Sequence, residues 1–505
     1  MEIALPGLFI PFLYLSPAKA VPAVSALLSP SYDINAVLDP SGSRITGKIK
    51  ITFLNPGSEP MSSFPVMLYP NRFLNQPAGL PADAFSKSFP WGFSPGSLTL
   101  KNAVDEKGEP LGIEPVESSL GAGVISRILL TNPVAPGGQV SATLEFSTGI
   151  PYRIGGFGQF KSVTSLEGGW HPYLPDFLKG AWAFNRPPPK ARFEVELTYP
   201  KEVELNHTGR MVSKTFGGPE KSVELRADSA EFFTLILSSR YRDLMRETGT
   251  GHAVFLSYFS GDAKYAEKVV GTAVSALQFF EEEYGPSPSP VLRLSEAFLY
   301  EDLIAEGGDI LLVSHNLYKN FSSLKTYHDG RLLRGLFGQI WRNQIPWAED
   351  WVIEMLSDYT TQAYFYKKQN HPPRGLDTFL KPFSFIPVVD EMLYSRNTSF
   401  RQIYLKEGKP SPFREAVRLY NTPRMEGSGI LFKLGNLLGK EETSDIVTAY
   451  LNLVRIGGKP SFSWLAGFLT GKDLDPFFNQ WIDSYPEPDF SINAIHYEHA
   501  GPVQS

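Results

Sequence analysis

The 505-residue chain contains no cysteine. Disulfides, thiolate nucleophiles and cysteine-ligated metals are thereby excluded. Histidine is scarce too, with eight in the whole chain, so a histidine-built metal site has few residues to draw on. Lys and Arg number 47 against 53 Asp and Glu, a formal net charge of −6, and no basic run stands out. Nucleic-acid binding is disfavoured, because affinity for phosphate needs clustered cations. After the N-terminus no apolar stretch approaches the roughly 20 residues of a membrane-spanning helix, so none is expected in the mature chain. There is no Gly-x-Ser-x-Gly hydrolase elbow, and the Ser322-x-x-Lys325 match is of the kind chance supplies.

What is present is a composition of 42% hydrophobic residues with 36 Phe, 22 Tyr, 44 Gly and 42 Pro. That suits a large, turn-rich globular body with two or three cores. The apolar run Ile3 to Leu15, followed by Ala18-Lys19-Ala20, reads as a secretory signal peptide over residues 1–20. Glu2 and the lack of an early Lys or Arg keep an uncleaved anchor or a buried strand as the other readings. Export without cysteine points to a bacterial periplasm or cell envelope, and the sequons at Asn206, Asn320 and Asn397 then read as chance matches.

From Ser31 to about Arg246 short runs alternate with period two, as in Lys48-Ile49-Lys50-Ile51-Thr52-Phe53, between Gly, Pro and Asn. A β-sandwich-like domain is expected over 28–247. The pattern then becomes helical at 262–284, 331–345, 348–368, 426–439, 442–455 and 474–485, with a strand at Asp309 to Val313. The fold class is α+β: the β domain, then a mainly helical domain with a small sheet over 248–487, and a tail over 488–505.

One stretch carries motifs. Residues 334–343 read Arg-Gly-Leu-Phe-Gly-Gln-Ile-Trp-Arg-Asn, and Trp351, Glu354 and Tyr359 follow. This resembles the zinc-binding region of the gluzincin aminopeptidases, the family of aminopeptidase N, where His-Glu-x-x-His-Gln-x-Trp-x-Asn precedes Trp-x-x-Glu-x-x-x-x-Tyr. Gln339, Trp341, Asn343, Trp351, Glu354 and Tyr359 match; the histidines and the general-base glutamate fall on Arg334, Gly338 and Gly335. Further matches lie in order along the chain, at Leu68-Tyr69-Pro70-Asn71, Trp170-His171-Pro172-Tyr173, and Thr470-Gly471-Lys472-Asp473 to Trp481. The resemblance covers roughly residues 30–485 and implies a thermolysin-like second domain.

The resemblance also implies what has been lost. In that family zinc is held by two His one helical turn apart and a Glu from the next helix, and it activates water for the general base. Here Glu354 stands at the third ligand position and Asp358 where the family has a further carboxylate. The interval from 338 to 354 is three residues shorter than the family's. His315 and His328 share no ligand-like spacing with Glu354. Arg424 occupies the place of the family's oxyanion tyrosine, with Tyr420 out of register, and Glu306 matches the glutamate that binds a substrate's α-amine. The vestigial site is thus Arg334, Gly335, Gly338, Glu354, Asp358 and Arg424, with zinc lost, no cofactor, and Glu306 as the peptide-binding candidate.

Arg334 is expected to pair with Glu354 or Glu306 where zinc would have supplied the positive charge. The expected function is that of a pseudopeptidase of the envelope, not an enzyme, which binds a peptide or protein partner or serves as a structural subunit. A peptide would add along the edge formed by Asp309 to Val313. The alternative is an active zinc aminopeptidase with a rewired metal site.

Overall fold

The computed structural model describes residues 29–76, 85–86, 88–118, 120–184, 187–299, 304–319, 325–370 and 427–479. Its first body is built on a seven-stranded sheet. In spatial order the strands are Arg210–Gly217, Glu220–Ala230, Ala191–Pro200, Ser31–Leu38, Arg44–Leu54, Gln139–Gly149 and Ser97–Val104. Alternation decides which face is buried: in Ser31–Leu38 the residues Tyr32, Ile34, Ala36 and Leu38 point inward and their neighbours outward. The same strand pairs parallel with Ala191–Pro200 and antiparallel with Arg44–Leu54, which places Ile34 beside Val195 and Ile49.

Two smaller sheets close over that face. One joins Glu204–His207, Leu235–Ser238, Val163–Leu166 and Phe157–Phe160; the other joins Met61–Met67, Ile125–Val134 and Gly112–Val116. Phe64, Ile128, Leu166 and Leu235 meet Phe146, Phe193 and Leu197 of the large sheet in one core. Trp170 is fully buried there, its indole N–H donating to the Phe233 carbonyl at 2.7 Å.

The second body has a five-stranded sheet in the order Tyr241–Glu247, Ala253–Phe259, Val291–Ala297, Ile310–Ser314, Ile304–Gly307. Its first strand, Tyr241–Glu247, pairs with Ala253–Phe259. One expectation is corrected by it: Ile310–Ser314 lies between Val291–Ala297 and Ile304–Gly307, so it is no edge; the outer strand is Ile304–Gly307.

Helices pack on this sheet: α1 (Ala263–Tyr284), α2 (Lys325–Gln344), α3 (Asp350–Gln369), α4 (Gly427–Leu438), α5 (Lys440–Arg455), α6 (Phe462–Thr470) and the one-turn α7 (Asp475–Phe478). In α2 the apolar positions Leu332, Leu333, Leu336, Phe337 and Ile340 recur at helical spacing and are all buried. Pro346 cannot continue that helix, and the chain turns directly into α3. Helix α3 ends on Asn370 in the left-handed conformation, with Lys367 and Lys368 in its last turn. A small cluster of Val163, Ile236, Tyr241, Phe259, Phe298 and Leu312 joins the two bodies.

Candidate functional site

Helices α2 and α3 lie against one another, and this contact decides what the motif residues can do. Arg334 projects from α2 toward α3. Its Nη2 donates to Glu354 Oε2 at 2.9 Å, and its Nε stands 2.6 Å from Asp358 Oδ1 as an ion contact. The Glu354 side chain is 6% exposed, Asp358 15% and Arg334 28%, so the cation reaches in from a partly open rim. One guanidinium thus faces two carboxylates one helical turn apart on α3. The interval before Glu354, though three residues shorter than the resembled family's, still brings it to Arg334.

Gly335 stands at the resembled general-base position. A Cβ placed there would lie 2.5 Å from Ile304 Cγ2 and 3.3 Å from Leu311 Cδ1. Real side chains do not approach so closely, so α2 can lie this near the outer strand only because residue 335 is glycine. The space a glutamate would need belongs to Ile304. Gly338 is buried one turn further along α2.

The matched residues that persist serve packing. Gln339 donates its side-chain amide to the Asp309 carbonyl, which ties α2 to the turn before Ile310–Ser314. Trp341 donates to Thr360 Oγ1 at 2.9 Å and meets Phe280 edge to face at 4.8 Å. Trp351 donates to Glu349 Oε2 at 2.8 Å and packs against Phe462 and Phe478, joining α3 to α6 and α7. Asn206, in one of the sequons, is fully buried and donates to the Leu294 carbonyl at 2.7 Å, so it is closed to a glycan in the folded chain.

Several expected residues lie elsewhere. Glu306 is on the outer strand, its backbone in register with Leu311. Arg424 and Tyr420 fall outside the described residues, as do Asn320, Asn397 and residues 1–20. The His315 ring packs on Phe298 at 4.6 Å, and His328 Nδ1 accepts the Tyr318 amide at 3.2 Å. Among the described residues no three His, Asp or Glu side chains are grouped as metal ligands.

The family's zinc does not fit the residues found at 334, 338 and 354. A guanidinium has no lone pair to give and repels a dication, glycine offers no donor, and Glu354 is already held by Arg334. Sequence reasoning missed Ile304; the only signal was a β-branched residue two before Glu306, with nothing to say that it faced Gly335. It also missed Asp309 as a titrating group: burial pushes its carboxyl up to about 6, against the pull of Lys190.

No family model and no curated relative matches the sequence. Among solved structures the chain is similar to the M1 zinc metallopeptidase of Deinococcus radiodurans. For a point mutant of that metallopeptidase the TM-score is 0.54 at 14% identity, covering 91% of this chain and 95% of that one. For the same mutant bound to a Tyr-Ser-Ala substrate it is 0.55 at 15%, covering 90% and 94%. A two-domain M1 zinc metallopeptidase point mutant bound to L-arginine gives 0.53 at 14%, covering 90% and 94%. Similarity at that level of identity is similarity of fold, and the chain has the fold of the M1 zinc metallopeptidases along nearly its whole length.

Proposed function

We propose that this chain is a catalytically silent member of the M1 peptidase group, retained at the cell envelope to bind a peptide or protein partner. The observation that carries the reading is the Arg334 guanidinium set between Glu354 and Asp358. A fixed cation there neutralises the carboxylates a metal would otherwise neutralise, without a coordinated water to activate. The contact of Ile304 with Gly335 supports the same reading, because it takes the room of a general base. Loss of a positioned base alone slows such reactions about 10²- to 10⁴-fold, and loss of the metal removes the nucleophile as well.

Binding is assigned to the outer strand Ile304–Gly307, which carries Glu306. Among the described residues it pairs on one side only, so an extended peptide has backbone groups to meet. The test is metal analysis of the purified chain, an aminopeptidase assay, and peptide binding by wild type and Glu306→Ala. The expected result is no stoichiometric zinc, no turnover, and binding that Glu306→Ala abolishes. Stoichiometric zinc with turnover lost in Glu354→Ala would overturn the proposal in favour of a rewired enzyme. Absence of peptide binding in the wild type would leave a structural subunit instead.

A further inference from the structure

Away from that site, a second group of charged side chains meets where the two bodies join. Glu296, near the end of strand Val291–Ala297, is fully buried. Its Oε2 accepts the Phe259 amide at 2.8 Å. Its Oε1 is buried and receives no hydrogen bond; the nearest cation, Lys319 Nζ, is 3.6 Å away and is held by Asp262 Oδ2 at 2.6 Å. The Asp262 and Glu296 carboxyls thus stand at the same ammonium, close enough for each to act on the other's proton. With both groups ionised, the buried Glu296 carboxylate and the partly exposed one of Asp262 would share one lysine between two charges. A proton between them turns that repulsion into a charge-assisted O–H···O bond.

We propose that Glu296 keeps its proton at neutral pH and donates it to Asp262, and that this shared proton is a clamp on the joint between the two bodies. The connections of the cluster give it that reach. Asp262 immediately precedes α1, and Lys319 lies between strand Ile310–Ser314 and α2, the helix that carries Arg334. Tyr241 donates its hydroxyl to the Glu296 carbonyl at 2.5 Å and accepts from Ser295. Just beyond Glu296, Phe298 packs edge to face on Phe160 of the first body at 5.3 Å, and Lys161 lies 4.7 Å over the same ring.

The other charged and titratable groups around Glu296 act as follows. From α1 come Asp262 and Tyr265; from strand Tyr241–Glu247 come Tyr241 and, through it, Asp243; from the far side come Lys319 and His315. Burial pushes the Glu296 carboxyl up to about 8; the Phe259 amide pulls it down and Asp262 adds to the rise. Desolvation works to raise Asp262, but the hydrogen bonds from Lys319 and Glu296 outweigh it and hold that carboxyl below its usual range. Because the folded Glu296 binds its proton more tightly than the unfolded one, its stabilising contribution is complete below 4.5 and is lost as pH rises through about 8.

The test follows thermal unfolding of the full chain from about pH 6 to about pH 9 for wild type and Glu296→Gln, with infrared titration alongside. Glutamine keeps the acceptor for Phe259 and offers Asp262 an N–H, so it mimics the protonated acid. Wild type should lose on the order of several degrees across the range while Glu296→Gln stays flat. The C=O stretch of a protonated carboxylic acid should be present at neutral pH, vanish at alkaline pH, and be missing from Glu296→Gln. Asp262→Asn, which removes the negative neighbour, should move the wild-type inflection to lower pH. An unchanged slope in Glu296→Gln, or no carboxylic acid band in wild type at neutral pH, would overturn the proposal. If Glu296→Gln does not fold, the infrared titrations of wild type and Asp262→Asn decide it.

Discussion

Arg334 is held by charge rather than by shape. Its guanidinium reaches Glu354 and Asp358 from a partly exposed rim, and each carboxylate is more enclosed than the arginine itself. Removing the cation would leave two carboxylates close together with little water to screen them. Arg334→Met keeps much of the aliphatic stem, so its effect isolates the charge. The expected cost is about 2–3 kcal/mol, less than the roughly 3–5 of a fully buried pair because of the exposed rim. Urea unfolding measures it. A cost below about 0.5 kcal/mol would reduce the contact to an ordinary surface pair.

At the scale of elements, the closest approach is that of α2 to the outer strand, through Gly335 and Ile304. In Gly335→Ala the new methyl group would press on Ile304, costing about 1–3 kcal/mol, against about 1 kcal/mol gained in helix propensity. The net expectation is destabilisation by about 1–2 kcal/mol. In an Ile304→Ala background the obstructing Cγ2 is gone, and the same substitution should become neutral or stabilising. A double-mutant cycle reads this change of sign directly; equal effects in both backgrounds would show that the contact does not set the spacing.

That contact also marks how far the sequence was legible. The buried stripe of α2 is periodic and could be read from spacing, and charge pointed Arg334 to Glu354 or Glu306, of which the fold brings it to Glu354. The run Ile310 to Val313 is apolar throughout and reads the same at the edge of a sheet as in its middle, so the outer strand was misplaced. Helix α6 went unread because Phe-Ser-Trp-Leu-Ala-Gly-Phe-Leu-Thr has no polar face to set a period. The partner of Tyr241–Glu247 and the meeting of Glu296 with Asp262 are set by tertiary pairing, on which local pattern is silent.

The molecule as a whole should be most stable in a limited pH range, because its buried groups pull in opposite directions. His171, enclosed by Tyr32, Trp170 and Phe193, and His207 are each pushed down by burial to about 4, with Arg293 adding to the effect at His207. Both fold as neutral imidazoles, so their contribution is complete above 6.5 and is lost as pH falls through about 4. Asp309, raised to about 6, has the opposite sign, losing its contribution as pH rises from 3.8 through about 6, and Glu296 continues that decline on the alkaline side. Stability should therefore peak at about pH 5–7 and fall on both sides. His171→Phe isolates the acid limb, since phenylalanine can occupy the aromatic enclosure but cannot take up a proton. Relative to wild type its stability should rise as pH falls from about 6.5 to about 4, by one histidine's share, whatever it does to stability at neutral pH. An acid limb as steep as that of wild type would show that protonation of this buried histidine does not drive acid unfolding.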